Sequence, residues 1–376
     1  MSLLHAALAI VLAAAAASAQ VPGCKPCGGS GRELCPKHPK VECAWESEVR
    51  YCSFAAKCAE CGGAGFLPCK KCASDATKQA LASQRERIGI EAKELASYDE
   101  TMGRPLRKGS TDHFTLVLEL DSLKVEKRTV QSHELLHVYL RRLEKLFADY
   151  RRVMGADEGD FQERFQIFIW YLDGDQAKGS LAFCSQGAPA GVKLMGSHAR
   201  YSTAANKRWF TTDEQLHRNL LHMVSHLILS HETPSQWMGN QKGGWAEEGL
   251  GHWFEYQTFA RCDNYCFQEQ NLNDDYSGGD YKVLCRKLVA ADEAPPIAGV
   301  FERNTDTLLK NEHIVAFSYV DYLISIDGTK FDRVCADLRA KVPTRESLQE
   351  HFGLAPLEFE RRWKEWVLAT YPTQKD

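Results

Sequence analysis

The sequence lacks any run of basic residues. Its 46 Lys+Arg are slightly outnumbered by 50 Asp+Glu, for a formal net charge of −4. Without a basic stripe there is no electrostatic footprint for a phosphate backbone, so no nucleic-acid partner is expected. An apolar run long enough to span a bilayer is also missing. Leu3 to Ala17 is rich in Leu, Ile, Val and Ala and broken only by His5, but it falls short of the ~20 residues that a spanning helix needs. No Lys or Arg precedes this run, and Ala17-Ser18-Ala19 closes it with an Ala-x-Ala cleavage pattern. Residues 1–19 are therefore expected to be a cleaved signal peptide, with Gln20 as the new first residue. A retained N-terminal anchor is the alternative. Val21-Pro22-Gly23 is a poor lipobox ahead of Cys24. Export to a periplasmic, cell-envelope or extracellular location is expected, with no membrane span after cleavage.

What the chain has in abundance is cysteine. Nine of its 14 cysteines lie between Cys24 and Cys72, which marks a separate module over residues 20–75. Within it Cys24-Lys-Pro-Cys27-Gly-Gly-Ser-Gly aligns with Cys58-Ala-Glu-Cys61-Gly-Gly-Ala-Gly, each followed by a second pair, Cys35/His38 and Cys69/Cys72. Read repeat by repeat, these form a Cys₃His set (Cys24, Cys27, Cys35, His38) and a Cys₄ set (Cys58, Cys61, Cys69, Cys72), both at zinc spacing. The glycines suit a tight turn with positive φ that brings backbone N–H groups towards thiolates. Disulfides are the competing reading for an exported chain. The odd cysteine count and the repeat favour metal, and Cys43 and Cys52 are left to pair with each other. The segment resembles the cysteine-rich domain of DnaJ-type chaperones, with its C-x-x-C-x-G-x-G signature, although the fourfold repeat is incomplete and no J-domain is present. That resemblance implies a zinc-stabilised protein-interaction module.

A second chemical centre is legible from Asp213 to Glu255. Leu216, Leu220, Met223, Val224, Leu227 and Ile228 recur at helical spacing. On the same helix His222 and His226 stand four apart and so leave one side together. Gly243-Gly244 open a second helix carrying Trp245-Ala246-Glu247-Glu248-Gly249. Two histidines and a carboxylate can hold one zinc ion with a position left open.

These segments resemble the gluzincin metallopeptidases, in particular the peptidase MA-like families, whose pattern is His-Glu-x-x-His followed by Trp-x-x-Glu-Gly. The resemblance implies His222, His226 and Glu248 as zinc ligands. It also implies a zincin-like α+β fold, with a gluzincin-like upper domain over 111–260 and a helical lower subdomain over 261–376. The match breaks at Met223, which occupies the slot of the general-base glutamate. That base takes a proton from the attacking water and passes it to the leaving amine. Its loss costs ~10²–10⁴-fold in rate, so a pseudo-peptidase that binds a peptide or protein in its cleft is expected.

Rivals remain open. His133-Glu134-Leu135-Leu136-His137 is a literal H-E-x-x-H, and an active peptidase using Glu134 is one alternative. A structural or assembly protein with purely structural zinc is another. His133 and His137 share a helical stripe with Leu136 and Leu140, which favours packing. Of Glu247 and Glu248, the motif register picks Glu248 to face the histidines. His252, on the same helical face, either bonds Glu248, closes the site as a ligand, or simply packs. Cys262 and Cys266, four apart, are placed to form a disulfide with each other or with Cys285, and an additional metal site there is the lesser alternative. His313 and Tyr319 are weak candidates for steadying an intermediate. Residues 76–110 read as a solvated helical linker, broken at Gly103, Pro105 and Gly109.

The upper domain is expected to run strand (113–120), helix (132–154), strand (165–172), then further strands or a hairpin around 192–203 and 209–211. Helices over 312–326, 330–340, 344–352 and 356–371 are expected to complete the lower subdomain.

Overall fold

The computed structural model describes residues 23–37, 49–186, 191–195, 198–266 and 278–373. The expected signal peptide, His38 and Cys43 lie outside them. The chain divides into two compact units, Met1–Lys40 with Tyr51–Leu95, and Val41–Arg50 with Ala96–Asp376.

In the first unit, strand β1 (Arg32–Leu34) comes from one cysteine repeat and β3 (Phe66–Pro68) from the other. They pair antiparallel, Arg32 opposite Pro68 and Leu34 opposite Phe66. A two-residue strand, β2 (Tyr51–Cys52), lies between them in sequence. The glycines repeat the same backbone shape: φ is +59° at Gly28 and Gly62 and +89° at Gly29 and Gly63. Helix α1 (Asp75–Glu94) starts at Ser74, whose hydroxyl accepts from Thr77 N at 3.2 Å. Where the sequence reads a solvated linker, the structure seats α1 on the knuckles. Leu81, Ile88 and Leu95 are buried, and Arg85 donates to the carbonyls of Cys61 (3.0 Å) and Glu60 (2.9 Å). One apolar residue every seven positions makes too narrow a stripe to stand out in a polar helix.

The second unit begins with α2 (Ala96–Met102), β4 (Lys108–Ser110), β5 (Phe114–Leu118) and a hairpin of β6 (Ser122–Val125) and β7 (Arg128–Gln131). Next come α3 (Ser132–Met154), β8 (Phe165–Trp170), α4 (Asp173–Cys184), β9 (Gly191–Leu194) and β10 (Arg200–Ala204). Within this unit the sheet runs β4-β5-β8-β10-β9. Its middle strands β5, β8 and β10 are parallel, and β4 and β9 pair antiparallel at the two sides. The hairpin and α4 were not anticipated from sequence, and 209–211 is not a strand. Parallel β5 and β8 bury Phe114, Leu116, Phe165, Ile167 and Ile169 completely, as a sheet covered on both faces requires.

All later elements are helical: α5 (Asp213–His231), α6 (Gly244–Phe259), α7 (Tyr281–Ala290), α8 (Ile297–Phe301), α9 (Lys310–Arg339), α10 (Thr344–Phe352) and α11 (Pro356–Thr370). The expected break between the 312–326 and 330–340 helices falls inside α9, where Asp327 leaves helical geometry (φ −168°, ψ 105°). The architecture is mixed α+β, with a cysteine-rich N-terminal unit ahead of it. Among the described residues no helix is long and apolar enough to cross a membrane.

Candidate metal centres

In the cysteine-rich unit the sulfurs gather into two groups, but not repeat by repeat. Cys24, Cys27, Cys69 and Cys72 form one group, and Cys35, Cys58 and Cys61 the other. Sγ separations are 3.8 Å for Cys24–Cys69, 3.2 Å for Cys27–Cys72 and 3.7 Å for Cys35–Cys58. Bonds of ~2.3 Å to a tetrahedral zinc place two sulfurs roughly 3.8 Å apart, so the spacing fits. The expected Cys₃His and Cys₄ sets are thus corrected: each group combines ligands from both repeats. The antiparallel pairing of β1 with β3 is the reason, because it lays the second pair of each repeat beside the first pair of the other. None of the cysteines among the described residues is in a disulfide. Burial works against ionising Cys27, but contact with Cys72 and the backbone of Gly31 and Gly29 draws its pKa down to about 6.

The second centre lies where α5, α6 and α9 meet. Helix α5 is fixed at both ends. At its start Thr212 and Gln215 form a reciprocal capping box, and Asp213 is gripped by Arg142 (2.6 and 2.9 Å) and Tyr139 (2.8 Å) from α3. At its end Arg339 of α9 donates to Leu229 O at 3.0 Å. Helix α6 comes close to α9 through Gly249, where an added Cβ would lie 2.5 Å from Ala316 O.

On this frame His222, His226 and Glu248 converge, all three with no solvent exposure. The two Nε2 atoms are 3.2 Å apart. Each also lies 3.3 Å from one oxygen of Glu248, His222 from Oε2 and His226 from Oε1. Donors on ~2.0–2.3 Å bonds to a tetrahedral zinc lie roughly 3.3–3.8 Å apart. Gly251 keeps the space open, since a Cβ there would be 2.9 Å from His226 Nε2. Glu248 Oε2 has no donor in hydrogen-bonding geometry among the described residues, a costly state for a buried carboxylate unless a cation serves it. These residues fit a metal ion.

The surrounding groups orient the imidazoles. Glu247 Oε1 is 3.0 Å from His226 Nδ1, and Glu255 Oε2 is 3.5 Å from His222 Nδ1. Both adjacent glutamates therefore reach the histidines, one from each side of His226, where only Glu248 was expected. His252 Nε2 is 3.0 Å from His313 Nδ1 and 3.8 Å from Glu248 Oε2, so it pairs with α9 rather than with Glu248. Tyr319 packs against Phe359 and Trp363.

Burial opposes charge on His222, yet Glu248 and Glu255 outweigh it and lift its pKa to about 9. Burial together with Lys193 holds His226 well below its ordinary value. Burial pushes Glu248 up, but the imidazoles around it hold it well below the carboxylate range. The carboxylates around the two imidazoles make the centre favourable to a positive charge.

Met223 is buried on α5 immediately after His222. At the competing motif, His133 and His137 have ring centroids 5.1 Å apart, and Glu134 Oε2 accepts from Arg128 at 3.0 Å.

Three groups at the centre, Cys266, Lys193 and Glu255, were missed by sequence reasoning. Cys266 Sγ lies 2.8 Å from Glu248 Oε1 and 3.8 Å from His226 Nε2, and Lys193 Nζ donates to it at 2.6 Å. Cys262, expected in a disulfide, instead donates to His252 O at 3.3 Å. Glu255 was detectable, as it falls seven residues after Glu248 on one face of α6. Cys266 and Lys193 come from outside the two helices and had no local signal. The chain matches no protein-family model and no curated protein.

Proposed function

We propose that this is an exported zinc-binding protein with a zincin-like second unit of the gluzincin, peptidase MA-like type. On this reading the old catalytic centre holds metal without running hydrolysis, and the protein binds a peptide or protein segment instead of cleaving it. The observation that carries the proposal is the convergence of His222, His226 and Glu248 at zinc spacing with Met223 in the slot next to the first ligand. A thioether cannot accept a proton. The two nearby carboxylates of Glu247 and Glu255 are engaged with the imidazole Nδ1 atoms.

Bound zinc would supply Lewis acidity there. The chain's own residues would hold it, orient the imidazoles and keep water out. The DnaJ-type knuckles add a second, metal-stabilised surface for a protein partner.

The test is metal analysis of protein purified without chelator, together with hydrolysis of a denatured protein substrate. About three zinc ions per chain are expected from the three ligand groups, falling by one in His222→Ala, with no chelator-sensitive cleavage by wild type. Cleavage that is abolished by His222→Ala would make the protein an active peptidase. Cleavage that survives it would overturn the site assignment as well.

A further inference from the structure

The five residues from Cys262 to Cys266 are fastened on every side. Cys262 exchanges both backbone hydrogen bonds with Gly279 (2.9 and 2.8 Å). Asp263 N donates to Glu255 Oε1 at 2.7 Å, and Asn264 Nδ2 donates to the same oxygen at 2.8 Å. The side chain of Asp263 pairs with Arg218 of α5, while Asn264 bonds Asn219 at 3.2 Å. This strap is therefore anchored to the two helices that carry the metal donors, and to the very glutamate that orients His222. At its end stands Cys266, 7% exposed, with its sulfur against both Glu248 and His226. The four side chains His222, His226, Glu248 and Cys266 offer donor atoms within 4.8 Å of one another.

We infer that Cys266 is the fourth ligand of this centre, so that the site is a closed His₂-Glu-Cys set and not an open hydrolytic one. This rests on the reading that His222, His226 and Glu248 hold a metal. Three features carry it. The 3.8 Å from Cys266 Sγ to His226 Nε2 matches the ligand spacing of a thiolate and an imidazole on one zinc, roughly 3.5 Å or a little more. The strap is a built support, of the kind that fixes a ligand in advance. Lys193 Nζ, near the end of β9, donates to the sulfur at 2.6 Å and holds it in place beside the two helices. Structural zinc sites take four protein ligands, whereas catalytic ones keep a position for water or substrate. Cys266 fills that position from the protein itself.

The experiment uses the full chain reconstituted with cobalt(II), which reports thiolate ligation by charge-transfer absorption. The knuckles contribute such absorption too, so the reading is a difference between proteins loaded identically. Wild type minus Cys266→Ala is expected to show thiolate-to-cobalt absorption worth one sulfur. The same subtraction made in a His222→Ala background is expected to be flat. Metal affinity at this centre should fall in Cys266→Ala by at least the about 10–100-fold that losing an outer-shell partner costs, and Cys266→His should restore it without the sulfur band. In wild type, zinc should shield Cys266 from iodoacetamide, read by mass spectrometry of its peptide, and chelation should expose it. This measurement needs no variant to fold. If His222→Ala loses one metal but Cys266→Ala changes neither absorption nor affinity, and Cys266 alkylates equally with and without zinc, the ligand assignment fails and the metal site stands. If His222→Ala keeps all its metal, both fail.

Discussion

Cys24, Cys27 and Cys58, beside glycine turns, are half-buried, as is Cys72, whereas His222, His226 and Glu248 are wholly enclosed by three helices. The first unit buries few large apolar side chains, chiefly Tyr51, Leu81, Ile88 and Leu95, and several of its most buried residues are the cysteines themselves. There a bound metal would stand in for a hydrophobic core, as small modules require. The second unit has Phe114, Phe165, Trp170, Trp245 and Trp363 fully buried, enough to fold around its charged centre. On the proposed reading one centre would make its fold, and the other would be held by a fold already made.

Removing metal is the strongest way to break this comparison. Exhaustive chelation should abolish amide-exchange protection in 24–37 and 58–72, where metal is expected to contribute of the order of the 10–16 kcal/mol known for zinc-finger peptides. Protection in α5, α6 and α9 should persist. Knuckle amides that stay protected without metal would refute the contrast.

A smaller but sharper effect is expected from Gly251→Ala, whose Cβ would press on His226 Nε2 from 2.9 Å. It should cost the helical centre its metal and leave knuckle metal untouched. Gly89→Ala on α1, with nothing within 4 Å, is the control and should stabilise its helix by ~1 kcal/mol. Metal counting and thermal melts read both, and a fully metallated Gly251→Ala protein would contradict the packing argument.

Weaker still, Glu247→Gln should lower affinity at the helical centre about 10–100-fold through loss of the His226 partner, with the fold intact. Competition against a chromogenic chelator measures this, and an unchanged affinity would show Glu247 to be a bystander. Least of all is expected from Met223→Glu alone. Restoring a base worth ~10²–10⁴-fold has no consequence while Cys266 occupies the fourth position, so cleavage of a denatured substrate should stay at background. Met223→Glu with Cys266→Ala should exceed either single variant, and hydrolysis by Met223→Glu alone would show the position to be open.

Long, strongly patterned elements were readable from sequence. Helix α3 falls on the expected 132–154, and α10 and α11 lie where their apolar spacing and caps put them. His222, His226 and Glu248 are close in sequence and sit on two consecutive helices, so helical periodicity and the motif were enough to single them out. What failed depended on pairing at a distance. The crossing of the knuckle ligands follows from β1 meeting β3 across more than thirty residues. Cys266 reaches the centre only because Asp263 and Asn264 are fastened to Glu255 and α5. Neither contact leaves a periodic trace in the chain.

The crossed knuckles also impose an order of assembly. The inner group, Cys35 with Cys58 and Cys61, joins Cys35 and Cys58 across 23 positions, while the outer one joins partners 45 apart. As the chain is made, the three described inner thiols are all present once Cys61 has emerged, and the outer four must wait for Cys72. Closing the inner loop first would shorten the stretch that an outer metal has to close, so the second capture would cost less entropy than it would alone. Cys24 and Cys27, the earliest thiols to appear, are thus the last to find their partners. A chain halted between Cys61 and Cys69 would carry the three inner thiols and one open pair.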